Sequence, residues 1–439
     1  MPITGTNYTI SYSNTKTNET ETDDSNFPTI TLNGGKKYTV KISGFVSHFG
    51  NFGNFSDLIV LDGVEYLVEA VKLGPLDLSG AFYGASNLIK VPTKLPSGVT
   101  DISGMFFGAT RFNQPLNSWD VSSVIKMNGM FSNATSFNQP LNNWDVGSVT
   151  EIWYMFNNAT SFNQPLNNWN VSNVRDMSSM FNSATSFNQP LNNWDVRNVL
   201  FMDLMFYDAI SFNQPLNNWD VSDVKDMNNM FYGATSFNQP LNMWVVSSVI
   251  DMTGMFQNAT SFNQPLNNWD VSSVKDMNNM FANAISFNQP LNNWNISSIG
   301  DSYRSYNMQN MINGSLNSMF KNATSFNQSL HKWNISNPDN NCKNMLDYSG
   351  LSQYNYQNTL IGWYNKCKSS LFVPKKIGAK GMIYNKYNKW GISNNTSGNG
   401  AISTTTSWIL HNDSDKNIFR EARSYFDDVI DGDMEVNFG

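Results

Sequence analysis

Charge is scarce in this 439-residue chain: Asp, Glu, Lys and Arg together make up 14% of it, well below the roughly 25% of an average globular protein. The net charge is −7 and the pI is near 5.0. No basic footprint exists for a phosphate backbone, so nucleic acid is not an expected partner. Cysteine is limited to Cys342 and Cys367, and histidine to His48, His331 and His411. These are too few and too scattered for a standard structural zinc site. The two cysteines can close one disulfide or stay as thiols, because residues alone do not fix the redox compartment. No apolar run approaches the roughly 18 residues of a membrane span, so membrane insertion is not expected. The opening stretch MPITGTNYTISYSNTKTNETE has neither the basic nor the apolar region of a secretory signal peptide. Disorder is not expected either: aromatics at 14% and hydrophobic residues at 40% are too many for a chain unable to bury a core.

What the chain has is periodicity. Tryptophans stand at 119, 144, 169, 194, 219, 244, 269 and 294, each 25 residues from the last. Phe112, Gln114, Pro115 and the Met105-Phe106 pair recur with the same step, and one unit reads SFNQPLNNWDVSSVKDMNNMFANAI. A further unit ends at Trp333, displaced by a 14-residue insertion placed at 302–315. A degenerate unit precedes the first full one, with Phe82 in the column of Phe106. The apolar side chains of one unit cannot offset the entropy of ordering it, so units must stack. After each Trp, residues such as Val271, Val274 and Met277 fall three apart. That spacing fits a coil that turns corners, with short parallel strands between bends. NQPLNN reads as a turn. The Asn113, Asn138, Asn163 column is expected to form an internal amide ladder.

The recurrent phrase MFxxATSFNQPLNNWDVSxVxxM closely resembles the BspA-like leucine-rich-repeat surface proteins, in the branch with 25-residue mycoplasma-lipoprotein-type repeats. NLIKVPTKLPSGVTDISGMF resembles that family's entry repeat, and GLSQYNYQNTLIGWYNK its C-terminal capping segment. The resemblance implies a right-handed leucine-rich-repeat-like solenoid, displayed on a surface for adhesion or protein binding, without catalysis. Related repeats also occur in large DNA viruses. A virion setting is therefore the alternative to a cell-surface or extracellular one, and the missing signal peptide favours it.

Residues 1–26 read as a flexible polar arm. Residues 27–75 read as a β-hairpin cap, with turns at Asn33-Gly34-Gly35 and Asp62-Gly63. About ten repeats fill 76–340, a mixed C-terminal cap follows over 341–412, and a terminal helix with an acidic tail ends the chain at 413–439. The helix rests on the spacing of Ile418, Phe419, Ala422, Tyr425, Phe426 and Val429.

Two acidic columns run through the repeats. Glu151, Asp176, Asp226, Asp251, Asp276 and Asp301 would repel one another if stacked. Calcium would relieve this, but no GGxGxD signature is present and Lys225 and Lys275 stand beside two of the acids, so a solvated ladder is expected. Asp120, Asp145, Asp195, Asp220 and Asp270 follow the tryptophans and are expected to cap backbone N–H groups. Acids that recur in every unit are structural, whereas a catalytic pair would break the repetition. GxSxG, Cys–His and phosphate-loop motifs are absent. No catalytic residue, metal or cofactor is therefore assigned. Places where the repeat fails are better candidates for binding: Trp153, Tyr154, Phe201, Tyr207 and Tyr232 replace smaller, polar or acidic residues, and the insertion adds Tyr303, Arg304 and Tyr306. Exposed aromatics anchor binding patches. The expected partner is a protein or glycan on a cell or virion surface, with self-assembly as a further outlet; a carbohydrate-binding module is the third reading.

Overall fold

A computed structural model describes Ala70 and residues 78–303, 314–335 and 342–367, plus the backbone alone of 304 and 311–313 and of strands at 3–14, 20–23, 38–49, 377–378 and 430–431. The chain divides into two compact units, Met1–Phe162 and Asn163–Gly439.

The first unit opens with a sheet. Strand β1 (Ile3–Asn14) runs antiparallel to both β2 (Thr20–Asp23) and β3 (Tyr38–Phe49), giving the order β2-β1-β3. Ile10 faces Asp23 on one side and Ile42 on the other. The expected polar arm over 1–26 is thus corrected: alternating Thr, Tyr and Ile suit a pleated strand, and the Ser/Thr/Asn content had masked that pattern. The two hairpin turns at 33–35 and 62–63 lie outside the described residues.

From Leu78 the first unit is built of coils. The degenerate repeat pairs with the next as full repeats do: Phe82 N–H donates to Met105 O at 2.9 Å and Phe106 N–H to Met130 O at 2.9 Å. Phe82 stacks on Phe106, and Phe106 on Phe131, with centroids 5.7 and 5.5 Å apart. A second row, Phe112–Phe137–Phe162, stacks at 5.9 and 6.0 Å.

The second unit shows why apolar residues recur every three positions. Trp194 N–H bonds Leu191 O, Val199 bonds Val196, Met205 bonds Met202, Ala209 bonds Phe206, and Phe212 bonds Ala209, all at 2.9–3.3 Å. Each is an i to i+3 turn, which returns both of its ends to the interior. The coil is therefore a chain of tight turns, and the short strands expected in it are corrected to single-residue parallel bridges: Asp176 with Phe201, Phe201 with Asp226, Asp226 with Asp251, and Asp251 with Asp276. Such turns need left-handed residues. Asn229, Asn258, Asn279 and Asn283 take φ of 51–60°, a region that Asn tolerates better than most side chains.

Coils are tied by three sets of bonds. Met202, Leu204, Phe206 and Asp208 donate backbone N–H groups to Asp226, Asn228, Met230 and Tyr232 of the next coil. On the opposite stretch the Asn column supplies side chains: Asn188 Oδ1 accepts both Asn213 N–H at 2.9 Å and Gln214 Nε2 at 3.0 Å. Asn113 does the same for Asn138 and Gln139 within the first unit. These amides are half-buried in the second unit rather than internal. Third, each indole reaches back one coil; Trp219 Nε1 donates to Leu191 O at 2.9 Å. The indoles of Trp169, Trp194, Trp219, Trp244, Trp269, Trp294 and Trp333 form one stack, with centroids 6.3–6.5 Å apart.

The insertion is shifted by one residue from its expected place. Gly300 N–H pairs with Lys275 O and Met277 N–H with Ser315 O, so residues 301–314 are extra. Within it β4 (Ser302–Arg304) and β5 (Met311–Asn313) form an antiparallel hairpin. Asp301 is exposed outside the acidic column, and Ser315 takes its place.

Helix α1 (Gln353–Cys367) ends the stack by repeating the bonds of a coil. Trp363 Nε1 donates to Leu330 O at 2.9 Å, as Trp333 Nε1 does to Leu291 O. Asn355 Nδ2 takes the place of a Gln side chain and donates to Asn327 O and Oδ1. Farther on, β6 (Ile377–Gly378) pairs in parallel with β7 (Ile430–Asp431). The terminal helix and tail expected over 413–439 lie outside the described residues, except that Ile430 and Asp431 form this strand. Among the described residues no helix is long and apolar enough to cross a membrane.

Candidate functional site

The repeat columns settle first. Asp120, Asp145, Asp195, Asp220 and Asp270 each accept the N–H two residues on, at 3.1–3.4 Å. The serine hydroxyl of Ser122, and then its N–H, hold the Asp120 carboxyl below its ordinary value; Ser222 and Ser272 do the same for Asp220 and Asp270. This is a capping role inside each coil.

The other acidic column is not the solvated ladder expected of it. In the first unit Glu151 is half-buried, pairs with Lys126 Nζ at 3.1 Å and accepts from Asn128 Nδ2 at 2.7 Å. In the second unit Asp226, Asp251 and Asp276 are only 1%, 7% and 5% exposed. Each carboxylate accepts the N–H two residues ahead, from Asn228, Thr253 and Asn278, at 2.8–2.9 Å. Burial pushes Asp226 up to about 7, with the neighbouring Asp251 and Asp203 adding to it. Burial likewise pushes Asp276 up to about 7. Asp203, two residues beyond the column, is itself 2% exposed and accepts Ser178 Oγ at 2.6 Å. Its burial was not foreseen; the signal was Phe201, an aromatic seated in an acidic column, which marks that stretch as shielded.

The aromatic candidates divide. In the first unit the rings of Trp153 and Tyr154 are half-buried and meet edge to face at 5.6 Å and 88°. In the second unit Tyr207 and Tyr232 are half-exposed and stack at 4.4 Å with their planes 1° apart. Burial raises the Tyr207 phenol above its ordinary value, and Tyr232 and Asp208 add to this. Phe201 is half-buried and bridges Asp176 and Asp226 through its backbone. Tyr303 is not an exposed anchor: it is 7% exposed, and its hydroxyl donates to Asp251 Oδ2 at 2.5 Å. The Arg304 side chain and Tyr306 lie outside the described residues.

Met243 and Val245 are the most exposed apolar residues near the tyrosine pair in sequence, at 66% and 55%. They stand where neighbouring coils carry Asn268 and Asp270, which line an open recess of about 480 Å³ with Asn267, Trp269, Asn293 and Asn295. Coils with the ordinary residues present amides and a carboxylate there; this one presents a methionine and a valine.

Cys342 and Cys367 are both buried free thiols. Burial pushes Cys342 up to about 12, Cys367 adding to it, and Cys367 up to about 11. Among the described residues no group of three or more His, Cys, Asp or Glu could hold a metal ion.

No curated protein matches the chain. A family model described as "Mycoplasma protein of unknown function, DUF285" matches residues 76–186, 142–244, 165–267, 215–317 and 244–359. These overlapping matches span 76–359, which is 284 of the 439 residues, and the chain belongs to that family.

Proposed function

We propose that this repeat protein is a non-enzymatic scaffold, displayed on a cell surface for adhesion or protein binding. The observation that carries the reading is where the repetition fails. Interior columns hold Phe, Trp, Leu and Met in coil after coil. Within residues 201–245 of the second unit, the outward positions change to Tyr207, Ile210, Tyr232, Met243 and Val245, and Ile210 is 45% exposed. Exposed aromatic and aliphatic residues on an amide-rich surface are the composition of protein-binding anchors. Stacking covers one face of each tyrosine ring, and a covered face is lost to a sugar, which weighs toward a protein partner. The BspA-like, right-handed leucine-rich-repeat solenoid is part of this reading; stacked coils with parallel bridges support it.

The test is reversion to the repeat. Labelled full-length protein is compared with a Tyr207→Asn, Tyr232→Asn, Met243→Asn, Val245→Asp variant for binding to cultured epithelial cells and to a glycan array. The variant should stay folded and lose cell binding, with the array silent for both. Equal cell binding by the two proteins, or none by the wild type, overturns the proposal. Array binding lost in the variant would establish a carbohydrate-binding module instead.

A further inference from the structure

One left-handed column of the second unit breaks beside the stacked tyrosines. Asn258, Asn283 and Asn322 stand in it at φ of 59–60°. Their amides form a ladder: Asn283 Nδ2 donates to Asn258 Oδ1, and Asn322 Nδ2 to Asn283 Oδ1, each at 2.8 Å. Asp208 holds the same position at φ of 49°, but the next coil offers Gly233 there, and glycine has no amide to donate. A Cβ built at Gly233 would fall on Asp208 Oδ1. The carboxylate therefore occupies the space that a side chain of the next coil fills elsewhere in the column.

Asp208 is half-buried and is left without a donor. Among the described residues no side chain hydrogen-bonds its carboxylate and no cation pairs with it; burial alone raises it above the ordinary carboxylate value. The column of Tyr207 and Tyr232 runs alongside. In the preceding coil the two columns touch, as Ser183 Oγ donates to Asn182 Oδ1 at 2.9 Å. In this coil the Asp208 charge helps to raise the Tyr207 phenol. The break thus leaves an unpaired carboxylate beside the two tyrosine rings, which stack at 4.4 Å. Ile210, two residues on, is 45% exposed.

We propose that Asp208, with Tyr207 and Tyr232, seats an arginine side chain of the partner protein. This rests on the reading of the patch as protein-binding and adds the chemistry of what it holds. A carboxylate with no internal donor is satisfied by a cation that brings its own N–H groups. Guanidinium suits the seat better than ammonium. Its planar fork can bond both carboxylate oxygens, it sheds water more readily, and its plane packs against aromatic rings. The ordinary column residues offer no such seat: Asn258 spends its side-chain oxygen on Asn283 of the next coil.

Saturation-transfer NMR of the full-length protein with the peptide Ac-Gly-Phe-Arg-Leu-Gly-amide tests the seat. The controls are the same peptide with citrulline, which keeps the shape without the charge, and with lysine. The arginine peptide should bind about tenfold more tightly than the citrulline peptide, from a half-exposed ion pair and a ring contact together. Asp208→Asn should cut that preference to about twofold, and Tyr207→Asn with Tyr232→Asn to about fivefold. Asp208→Asn should stay folded, because Asn258 and Asn283 hold the same left-handed position. No arginine preference in the wild type overturns the inference. So does a preference unchanged in either variant, or a lysine peptide that binds as well as the arginine one. Cell binding is read separately: cell binding without an arginine preference sinks the seat alone, and an arginine preference in a protein that ignores cells sinks the cell-surface reading alone.

Discussion

Asp226→Asn tests the buried ladder through the stability of the whole second unit. Asparagine keeps the shape of the side chain, and its carbonyl can still accept the Asn228 N–H that Asp226 Oδ1 now accepts at 2.9 Å. What it removes is the ability to ionise. Asp226 stands at an ordinary 3.8 in the unfolded chain and at about 7 in the fold. Below 3.8 both states hold the proton, and the group costs nothing. Between the two values only the folded state holds it, so unfolding releases a proton and stability falls by about 1.4 kcal/mol per pH unit. Above 7 the loss is complete, at most about 4 kcal/mol for this one carboxyl. The variant escapes that loss. In urea unfolding it should match the wild type to within about 1 kcal/mol near pH 4, and exceed it by roughly 2–4 kcal/mol near pH 8.5. Part of the gain reports relief of repulsion with Asp251 and Asp203. A difference that does not change with pH would refute the reasoning, as would a variant weaker than the wild type at alkaline pH.

Three other outcomes follow from the packing. Trp219→Ala should cost about 3–5 kcal/mol as a large buried ring is lost from the indole stack; Trp219→Phe should cost only about 1 kcal/mol from the lost indole bond, because Leu191 O still accepts Trp194 N–H, and denaturant unfolding separates the two. Leu204 holds φ of 56° where the next coil has Asn229 at 51°, so Leu204→Asn should stabilise by about 1 kcal/mol, read as a higher urea midpoint. Iodoacetamide near pH 8 should leave Cys342 and Cys367 unmodified in the native protein and alkylate both in urea, since burial raises both thiols and shields them; mass spectrometry counts the adducts.

The columns were legible because stacking makes period equal position. Once Trp194 and Trp219 stand 25 apart beside matching Phe and Asn columns, each must meet its equivalent, and the indole stack and the Asn188–Asn213 bond follow. The three-residue spacing of Val271, Val274 and Met277 correctly marked a coil that bends. It left open whether strands joined the bends, because a turn of the i to i+3 kind and a short strand both return an apolar residue to the core. The acidic column was misjudged for a different reason. Tyr303, 52 residues away in sequence, donates its hydroxyl to Asp251, and no local pattern carries that contact. The N-terminal strand was missed because serine and threonine content was weighed above the alternation of Tyr8, Ile10 and Tyr12.

A stack of like coils has no address: a partner fitting one coil fits the next equally well, shifted by one repeat. Specific recognition needs a break in the repetition, and a break in the interior would cost the core contacts that hold the stack. The outward columns and the insertion are where change is cheap. Phe201, Leu204, Tyr207, Tyr232, Met243 and Val245 fall within 45 residues of the second unit, and their interior neighbours Phe206, Phe231 and Trp244 keep the repeat unaltered. Leu204 in a left-handed position is strain that most coils lessen with Gly, Asn or Ser and that Tyr154 shares. If that strain serves only packing, Leu204→Asn should raise stability and leave cell binding as it was. If it shapes the outward patch, the same change should raise stability and weaken binding, which places the cost of the departure and its use at one residue.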